Sequence, residues 1–171
     1  MSHDPGSMSA GFSDPAAGTR RLLILGCSKA KTMDDGLIPA WQRYDGPAFR
    51  VLRRYLRQRQ DPALSILVLS AEYGIVAADS RIPYYDRQMT PTRAGEIRHQ
   101  VSATLSHLLN GSDFLPEQSK HVLVVLGREY LGALTDYTGN GSDWLINRRV
   151  LGRPGERLAQ LKAWLNAESP T

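Results

Sequence analysis

The chain has 171 residues, of which 42% are hydrophobic and 22% are charged, a composition typical of a globular domain with a sizeable core. No apolar stretch reaches the roughly 18 residues that a membrane-spanning helix requires, so we expect no membrane partner. The formal net charge of +4 permits a polyanionic partner but does not require one.

The first twenty residues contain no basic start followed by an apolar run, so they do not resemble a signal peptide. Their Gly, Pro, Ser and Asp content predicts a disordered tail over residues 1–20. Cys27 is the single cysteine and cannot form an internal disulfide, which suits a reducing compartment. We therefore expect a cytoplasmic protein with one domain over residues 21–167.

Three short apolar runs predict buried strands at residues 21–26 (RLLILG), 65–70 (SILVLS) and 121–127 (HVLVVLG). Helical patterns separate and follow these runs. They comprise a helix that begins at Pro47 and continues to Arg59, a helix capped by Thr90–Pro91 and closed by Asn110–Gly111, and a last helix that begins at Pro154.

Strands that alternate with helices predict an α/β fold, here a single three-layer domain with a mainly parallel central sheet flanked by helices. Residues 137–143 (YTGNGSD) indicate a turn-rich loop rather than a fourth strand. In a parallel sheet all strands end at one edge. The segments 27–31, 71–89 and 128–130 should therefore converge there.

The first of these segments carries Cys27, Ser28, Lys29 and Lys31 directly after a strand. Such a turn can present N–H groups and ammonium charge to a phosphate, although the Gly-x-x-x-x-Gly-Lys-Ser/Thr loop is absent. The alternative is a solvated polar turn. Cys27 as a nucleophile lacks an obvious histidine base, and no clustered ligand spacing predicts a metal site.

The second segment is too polar for a core and too aromatic for an ordinary surface loop. Two of its acids, Glu72 and Asp86, are the candidate catalytic groups, and Tyr73, Tyr84 and Tyr85 are candidates for stacking on a planar base. The alternative is structural: the tyrosines cap the edge of the sheet, and Asp86 accepts local N–H groups.

The helix that begins at Pro47 carries four arginines at helical spacing on one face, without interleaved acids. They are Arg50, Arg53, Arg54 and Arg57. Arginine binds phosphate bidentately, so the pattern indicates contacts with a nucleic-acid backbone. The alternative is an ordinary solvated face. Tyr44 lies just before this helix and is a further candidate for the same crevice.

Several short motifs resemble those of the YaaA-type peroxide-stress proteins and of short bacterial domains related to them. The motifs are Cys-Ser-Lys-x-Lys, Tyr-x-Gly-x-x-Phe, Leu-Ser-Ala-x-Tyr-Gly and Pro-Tyr-Asp. The matching residues are Cys27, Ser28, Lys29, Lys31, Tyr44, Gly46, Phe49, Leu69, Ser70, Ala71, Tyr73, Gly74, Ile82, Tyr85, Asp86 and Met89. One departure is that Pro83 comes one place early, with Tyr84 in its position.

This resemblance implies DNA binding, and the related domains are distantly similar to the uracil-DNA-glycosylase fold. It favours an N-glycosidase that acts on a base in DNA, RNA or a nucleotide, with Asp86 or Glu72 as the catalytic carboxylate and no cofactor. A non-catalytic nucleic-acid-binding protein and a hydrolase of small nucleosides or nucleotides remain as alternatives. The expected substrate-binding residues are Cys27, Ser28, Lys29, Lys31, Tyr44, Ser70, Tyr73, Gly74, Tyr84 and Tyr85.

Overall fold

The computed structural model describes residues 20–109, 121–136 and 144–167, and the structural statements below concern these residues. Its helices and strands, in chain order, are β1 (Arg21–Gly26), β2 (Ile38–Pro39), α1 (Ala40–Arg43), α2 (Pro47–Gln58), β3 (Leu64–Ser70), β4 (Gly74–Ala77), β5 (Arg81–Ile82), α3 (Pro91–Leu109), β6 (Val122–Val125), a 3-10 helix (Arg128–Leu134), α4 (Trp144–Asn147) and α5 (Pro154–Asn166).

The central sheet has the spatial order β4–β3–β1–β6. Strand β1 pairs in parallel with β3 on one side and with β6 on the other, whereas β4 turns back antiparallel to β3. Strands β2 and β5 form a separate antiparallel pair. The predicted α/β fold with a mainly parallel central sheet is therefore confirmed.

Side chains along β1 point alternately into two cores, as the pleat of a strand requires. Leu22 and Ile24 pack with α3 and the 3-10 helix on one face of the sheet. Leu23 and Leu25 pack with α2 and α5 on the other face. Helices thus cover both faces and give the predicted three layers.

The prediction that residues 71–89 form a loop too polar for a core is wrong in part. The segment contains β4 and β5, and it buries six apolar or aromatic side chains: Ala71, Ile75, Ala78, Ile82, Tyr85 and Met89. Its polar residues are interspersed with these buried positions, so the apolar side chains enter the core while most of the charged ones stay at the surface. Gly74, with φ of 73°, lets the chain reverse from β3 into β4.

The predicted helix starts are confirmed. Thr90 Oγ1 accepts the backbone N–H of Arg93 at 3.1 Å and so caps α3, while Pro47 and Pro154 are the first residues of α2 and α5. The predicted helix end at Asn110–Gly111, the loop at 137–143 and residues 1–19 of the predicted tail lie outside the described residues.

Arg43 is a fully buried arginine. Its guanidinium donates to the carbonyls of Thr32, Asp34 and Gly36 at 2.7–2.8 Å and to that of Ile82 at 3.3 Å. These bonds fasten the segment 32–36 against β5, and a buried charge of this kind persists only when it is well hydrogen-bonded. Residues 32–36 therefore form a strap that the Arg43 side chain holds, together with the N–H and hydroxyl of Thr32, which donate to the carbonyls of Arg43 and Gln42 at 2.7 and 2.9 Å.

Candidate functional site

The strand ends meet at the carboxyl edge of the sheet, as parallel pairing predicts. Gly26 at the end of β1 lies opposite Leu69, and the N–H of Cys27 continues the ladder by donating to the Leu69 carbonyl at 3.0 Å. From beyond β6, the hydroxyl of Tyr130 donates to the carbonyl of Cys27 at 2.6 Å. The three predicted segments therefore converge.

Three hydroxyl groups form a buried chain at this edge. The hydroxyl of Tyr85 lies 2.9 Å from Ser70 Oγ and 2.7 Å from the hydroxyl of Tyr44. Ser70 Oγ also accepts the backbone N–H groups of Glu72 and Tyr73, at 3.2 and 3.1 Å. Burial raises the pKa of Tyr44 to about 12, so its hydroxyl keeps its proton well above neutral pH.

Lys31 covers this chain from outside. Its ammonium nitrogen lies 4.6 Å from the centre of the Tyr85 ring, a cation–π distance, and its backbone pairs with that of Tyr44. Burial lowers the pKa of Lys31, while the nearby Cys27 and Asp86 act in the opposite direction. Lys31 is therefore a partly desolvated amine that is influenced by both a thiol and a carboxylate. We call Cys27, Lys31, Ser70, Tyr85 and Asp86 the edge site.

Cys27 is half-buried, and its sulfur lies 3.3 Å from the hydroxyl of Tyr130. The Tyr130 ring approaches β1 so closely that a Cβ on Gly26 would lie 2.9 Å from it, so only glycine fits there. Tyr130 therefore joins the 3-10 helix to the edge site, a contact that the sequence motifs do not reveal.

The two candidate catalytic acids have different surroundings. Glu72 forms an ion pair with Arg87 at 3.4 Å, with both side chains partly exposed. Asp86 is exposed and has no hydrogen-bond or ion-pair partner within the described ranges. Its charge is nevertheless close enough to Lys31 to act on that lysine's pKa. Of the two carboxylates, that of Asp86 is therefore the one that is not engaged in an ion pair.

The turn from Ser70 to Gly74 is held from behind by α3. Arg93 donates to the carbonyl of Ala71 at 2.6 Å and to that of Glu72 at 3.2 Å, and Gln100 donates to the carbonyl of Tyr73 at 3.0 Å. These bonds satisfy the turn's carbonyls, as buried backbone requires. Gly74 is buried and shapes this turn rather than offering a side chain to a ligand.

The three candidate stacking tyrosines differ in exposure. Tyr84 is 43% exposed. Tyr73 is half-buried, with its ring edge-on to Tyr85 at 5.4 Å. Tyr85 is buried, and Lys31 lies over its ring. Only Tyr84 therefore presents a large open ring surface to a base, and Tyr85 fits the structural alternative of a tyrosine that caps the sheet edge.

The turn 27–31 is less available than the sequence suggests. Ser28 Oγ donates to the carbonyl of Ala30 at 2.6 Å and accepts the N–H of Gly46 at 3.2 Å, so its hydroxyl already serves the fold. Lys31 is occupied as described above. Lys29 is exposed, and its ammonium has no partner in the described part of the chain. Of the predicted phosphate ligands, Lys29 is the one left open to an anion.

The arginines of α2 divide into two pairs. Asp45, just before the helix, forms ion pairs with Arg50 at 3.1 Å and with Arg53, and hydrogen bonds from both arginines lower the pKa of Asp45. Arg53 also donates to the carbonyl of Tyr44 at 2.7 Å and is largely buried. It anchors the helix start. The absence of acids within the helix concealed this partner upstream.

The second pair, Arg54 and Arg57, is exposed and has no ion-pair partner in the ranges described. Both line a groove of about 670 Å³ together with Arg50, Gln58, Lys162 and Asn166. We call it the α2–α5 groove. It has no acidic lining residue among those described, and although Arg50 is paired with Asp45 outside the lining, the charges of Arg54 and Arg57 have no partner there.

Three residues of consequence carried no sequence signal: Arg43, Arg93 and Lys162. Arg43 and Arg93 donate to carbonyl groups of distant segments, and Lys162 joins the α2–α5 groove from the last helix. Tyr130 lies in a segment that was predicted to converge, but its contact with Cys27 was not predicted. Such roles depend on tertiary contacts, and no local spacing encodes them.

Within the described ranges, no cluster of three or more His, Cys, Asp and Glu residues is arranged to hold a metal ion. In the same ranges, no helix combines the length and apolar character that crossing a membrane demands.

The chain belongs to a family of unknown function (DUF6884), whose model matches residues 22–163. That range includes the whole sheet except Arg21 and every residue of the edge site. No curated protein and no solved structure matches the chain.

Proposed function

We propose that this DUF6884 protein is an N-glycosidase that acts on a nucleobase in nucleic acid, with Asp86 as its catalytic carboxylate. One observation carries the proposal: Asp86 is an exposed acid at the carboxyl edge, and its charge acts on the partly desolvated ammonium of Lys31. Glu72, the other candidate acid, is engaged by Arg87. The resemblance to YaaA-type proteins supports a nucleic-acid partner and, with the single cysteine, a cytoplasmic setting.

The reaction is a hydrolysis at the sugar carbon that bears the base. The bond between that carbon and the base nitrogen breaks, and its electron pair leaves with the base. A water oxygen bonds to the carbon, the water loses a proton, and the departing nitrogen gains one. A carboxylate at the position of Asp86 would stabilise the positive charge that develops on the sugar and would accept the water proton.

The surrounding groups match the other needs of such an enzyme. Tyr84 offers an exposed ring on which an extruded base can stack, and the exposed ammonium of Lys29 can contact a flanking phosphate. The buried chain of Ser70, Tyr85 and Tyr44 hydroxyls holds the segment that carries Asp86. A rigid support of this kind is what positions a catalytic group.

Substitution of Asp86 by Asn tests this role, because Asn keeps the size of the side chain and removes its charge. We expect release of free base from modified DNA or RNA to fall about a hundredfold or more, while oligonucleotide affinity changes much less. Asp79→Asn, at an exposed position in the turn before β5, is the matched control and should retain activity. Glu72→Gln is the companion variant.

Full activity of Asp86→Asn would exclude Asp86 as the catalytic group. If the loss occurred in Glu72→Gln instead, the reaction would stand and the acid would be reassigned. Release of base only from free nucleosides or nucleotides would identify a small-molecule hydrolase.

A second candidate, a non-catalytic nucleic-acid-binding protein, is favoured by the α2–α5 groove. This groove gathers Arg54, Arg57 and Lys162 without an opposing acid, and such a surface binds phosphate backbones without any chemistry. Wild-type protein that binds oligonucleotides but releases no base from any substrate would support this function over the glycosidase.

A further inference from the structure

A second basic cleft lies beyond the end of β6, apart from the α2–α5 groove. It has a volume of about 470 Å³ and is bounded by three stretches of chain: residues 126–129, residues 149–152 and the first turn of α5. Each stretch contributes one arginine, namely Arg128, Arg149 and Arg157. We call it the arginine cleft.

The net charge of the residues that line the arginine cleft is positive, even when its acidic residue is included. Glu129 is the one acidic residue of the lining described, against three arginines. Its carboxylate is folded towards Gly127, where an added Cβ would meet it at 2.5 Å. Glu156 lies nearby but accepts the N–H of Arg153 at 2.6 Å and so caps α5. The excess favours an anionic ligand.

Backbone contacts fix where the arginines stand. Arg149 forms a parallel bridge with Val124, and the N–H of Val150 donates to the carbonyl of Val124 at 2.9 Å. The guanidinium of Arg157 reaches the carbonyl of Leu126 at 3.5 Å. The stretch that carries Arg149 is thus an extension of the central sheet and is preorganised.

Arg149 also carries an unused donor. Its Nε is buried and has no hydrogen-bond partner among the described residues. A buried N–H without a partner costs free energy in the folded protein. Arg43 Nε is likewise without a partner, so the excess of arginine charge and the fixed backbone around it, and not this donor, indicate an anionic ligand in the cleft.

We propose that Arg128, Arg149 and Arg157 form a phosphate-binding subsite for the phosphate ester of a nucleotide unit. Arginine forks match the oxygens of a phosphate group, and about 470 Å³ accommodates a phosphate with part of its sugar. Tyr130, which follows the lining residues 128 and 129, reaches Cys27 in the edge site. The subsite rests on the proposed function: it holds the phosphate of a strand or nucleotide whose sugar lies at the edge site.

The test measures phosphate binding directly and requires no turnover. Inorganic phosphate, a nucleoside monophosphate and a short single-stranded oligonucleotide are titrated into wild-type protein by calorimetry. Arg149→Gln and Arg128→Gln are the variants, and Arg128 is exposed, so its replacement leaves the fold intact. Arg148→Gln removes a neighbouring exposed arginine outside the cleft and is the matched control.

We expect each cleft variant to weaken the binding of all phosphate-bearing probes about tenfold or more, since hydrogen bonds to charged groups are among the strong ones. Arg148→Gln should bind as the wild type does. A loss for the oligonucleotide alone would still support the subsite and would identify a strand as its ligand. Equal affinities of wild type and both cleft variants for every probe, or no binding of any phosphate-bearing probe by the wild type, would overturn the proposal.

The outcome is separable from that of the glycosidase. Asp86→Asn should keep wild-type phosphate affinity, because Asp86 does not line the arginine cleft. If the wild type releases no base but Arg149→Gln loses phosphate affinity, the subsite stands and the glycosidase falls. If base release depends on Asp86 but phosphate affinity is the same in every variant, the glycosidase stands and the subsite falls.

Discussion

The edge site and the α2–α5 groove are both rich in polar side chains, but they differ in whether those side chains have hydrogen-bond partners within the protein. The hydroxyls of Ser70, Tyr44 and Tyr85 bind one another below the surface. Arg54 and Arg57 in the groove bind nothing within the described chain. Buried polar groups must find partners in the protein, whereas exposed charges can rely on water or a ligand.

This difference distinguishes residues that stabilise the fold from residues that can contact a ligand. Several residues that the sequence motifs place at the site, such as Ser28 and Tyr85, serve mainly to hold the fold. Asp86, Lys29 and Tyr84 remain open to a ligand. A sequence motif therefore indicates which residues lie near the site. The hydrogen bonds of each side chain then show which of these residues are free to contact a ligand.

The largest expected effect on stability comes from the buried support. Arg43→Met removes four hydrogen bonds and leaves their carbonyls without a donor. We expect the free energy of unfolding to fall by about 3–5 kcal/mol, measured by chemical denaturation. Arg81→Met is the control, because exposed Arg81 also donates to the same region, at Leu37, yet its loss should cost under about 1 kcal/mol. Equal losses would show that burial of Arg43 adds nothing.

A smaller effect comes from the protonation of the hydroxyl chain. Tyr44 has a pKa of about 12 in the folded protein against 10.0 for the ordinary side chain. The folded state therefore keeps a proton that the unfolded state loses, so this contribution is complete below pH 10 and declines as the pH rises towards 12. The decline should reach about 1.4 kcal/mol at pH 11.

Denaturation of wild type and Tyr44→Phe at pH 8 and pH 11 checks this expectation. The variant should start less stable, through its lost hydrogen bonds, but should lose less between the two pH values. Tyr84→Phe, at an exposed ring, should follow the wild-type profile. Parallel profiles for wild type and Tyr44→Phe would contradict the role given to burial.

The smallest effect on stability is expected in the groove. The double variant Arg54→Gln, Arg57→Gln should change the free energy of unfolding by no more than about 0.5 kcal/mol. Its oligonucleotide affinity should nevertheless fall, and the slope of log affinity against log salt should become shallower by about 1.5–2. Gel-shift titrations at several salt concentrations measure this slope. An unchanged slope would show that both arginines belong to an ordinary solvated helix face and do not contact phosphate.

The matched control for the groove is the double variant Arg98→Gln, Arg148→Gln. Both residues are exposed and lie outside the groove, and the variant has the same net charge as the test variant. We expect it to keep most of the affinity and the wild-type salt slope. A loss equal to that of the groove variant would show that net charge, and not the groove, controls binding.

Much of the fold was predictable from local pattern. The apolar runs of β1, β3 and β6 and the starts of α2, α3 and α5 follow from periodicity and from Thr or Pro at helix starts. Strand β4 was missed because it has only four residues and lies within a polar segment. The segment forms a strand because it pairs with β3, and its own sequence does not predict this.

The site was less predictable because its key contacts are long-range. The sequence placed Cys27, Lys31 and Asp86 on converging segments. It did not show that Lys31 would cover Tyr85 or that Asp45 would engage Arg53. Those outcomes depend on which side chains the fold brings within reach.

The central position of β1 has a consequence for synthesis. Its neighbours β3 and β6 both follow it in the chain, and Leu22 pairs with Val122, a hundred residues later. On the ribosome, the apolar β1 is therefore made early and stays incomplete until nearly the whole domain has been translated. The sheet therefore cannot be completed strand by strand as the chain emerges, and β1 has no partner strand until β3 has been made and only one until β6 follows. Unpaired apolar strands of this kind favour aggregation during folding.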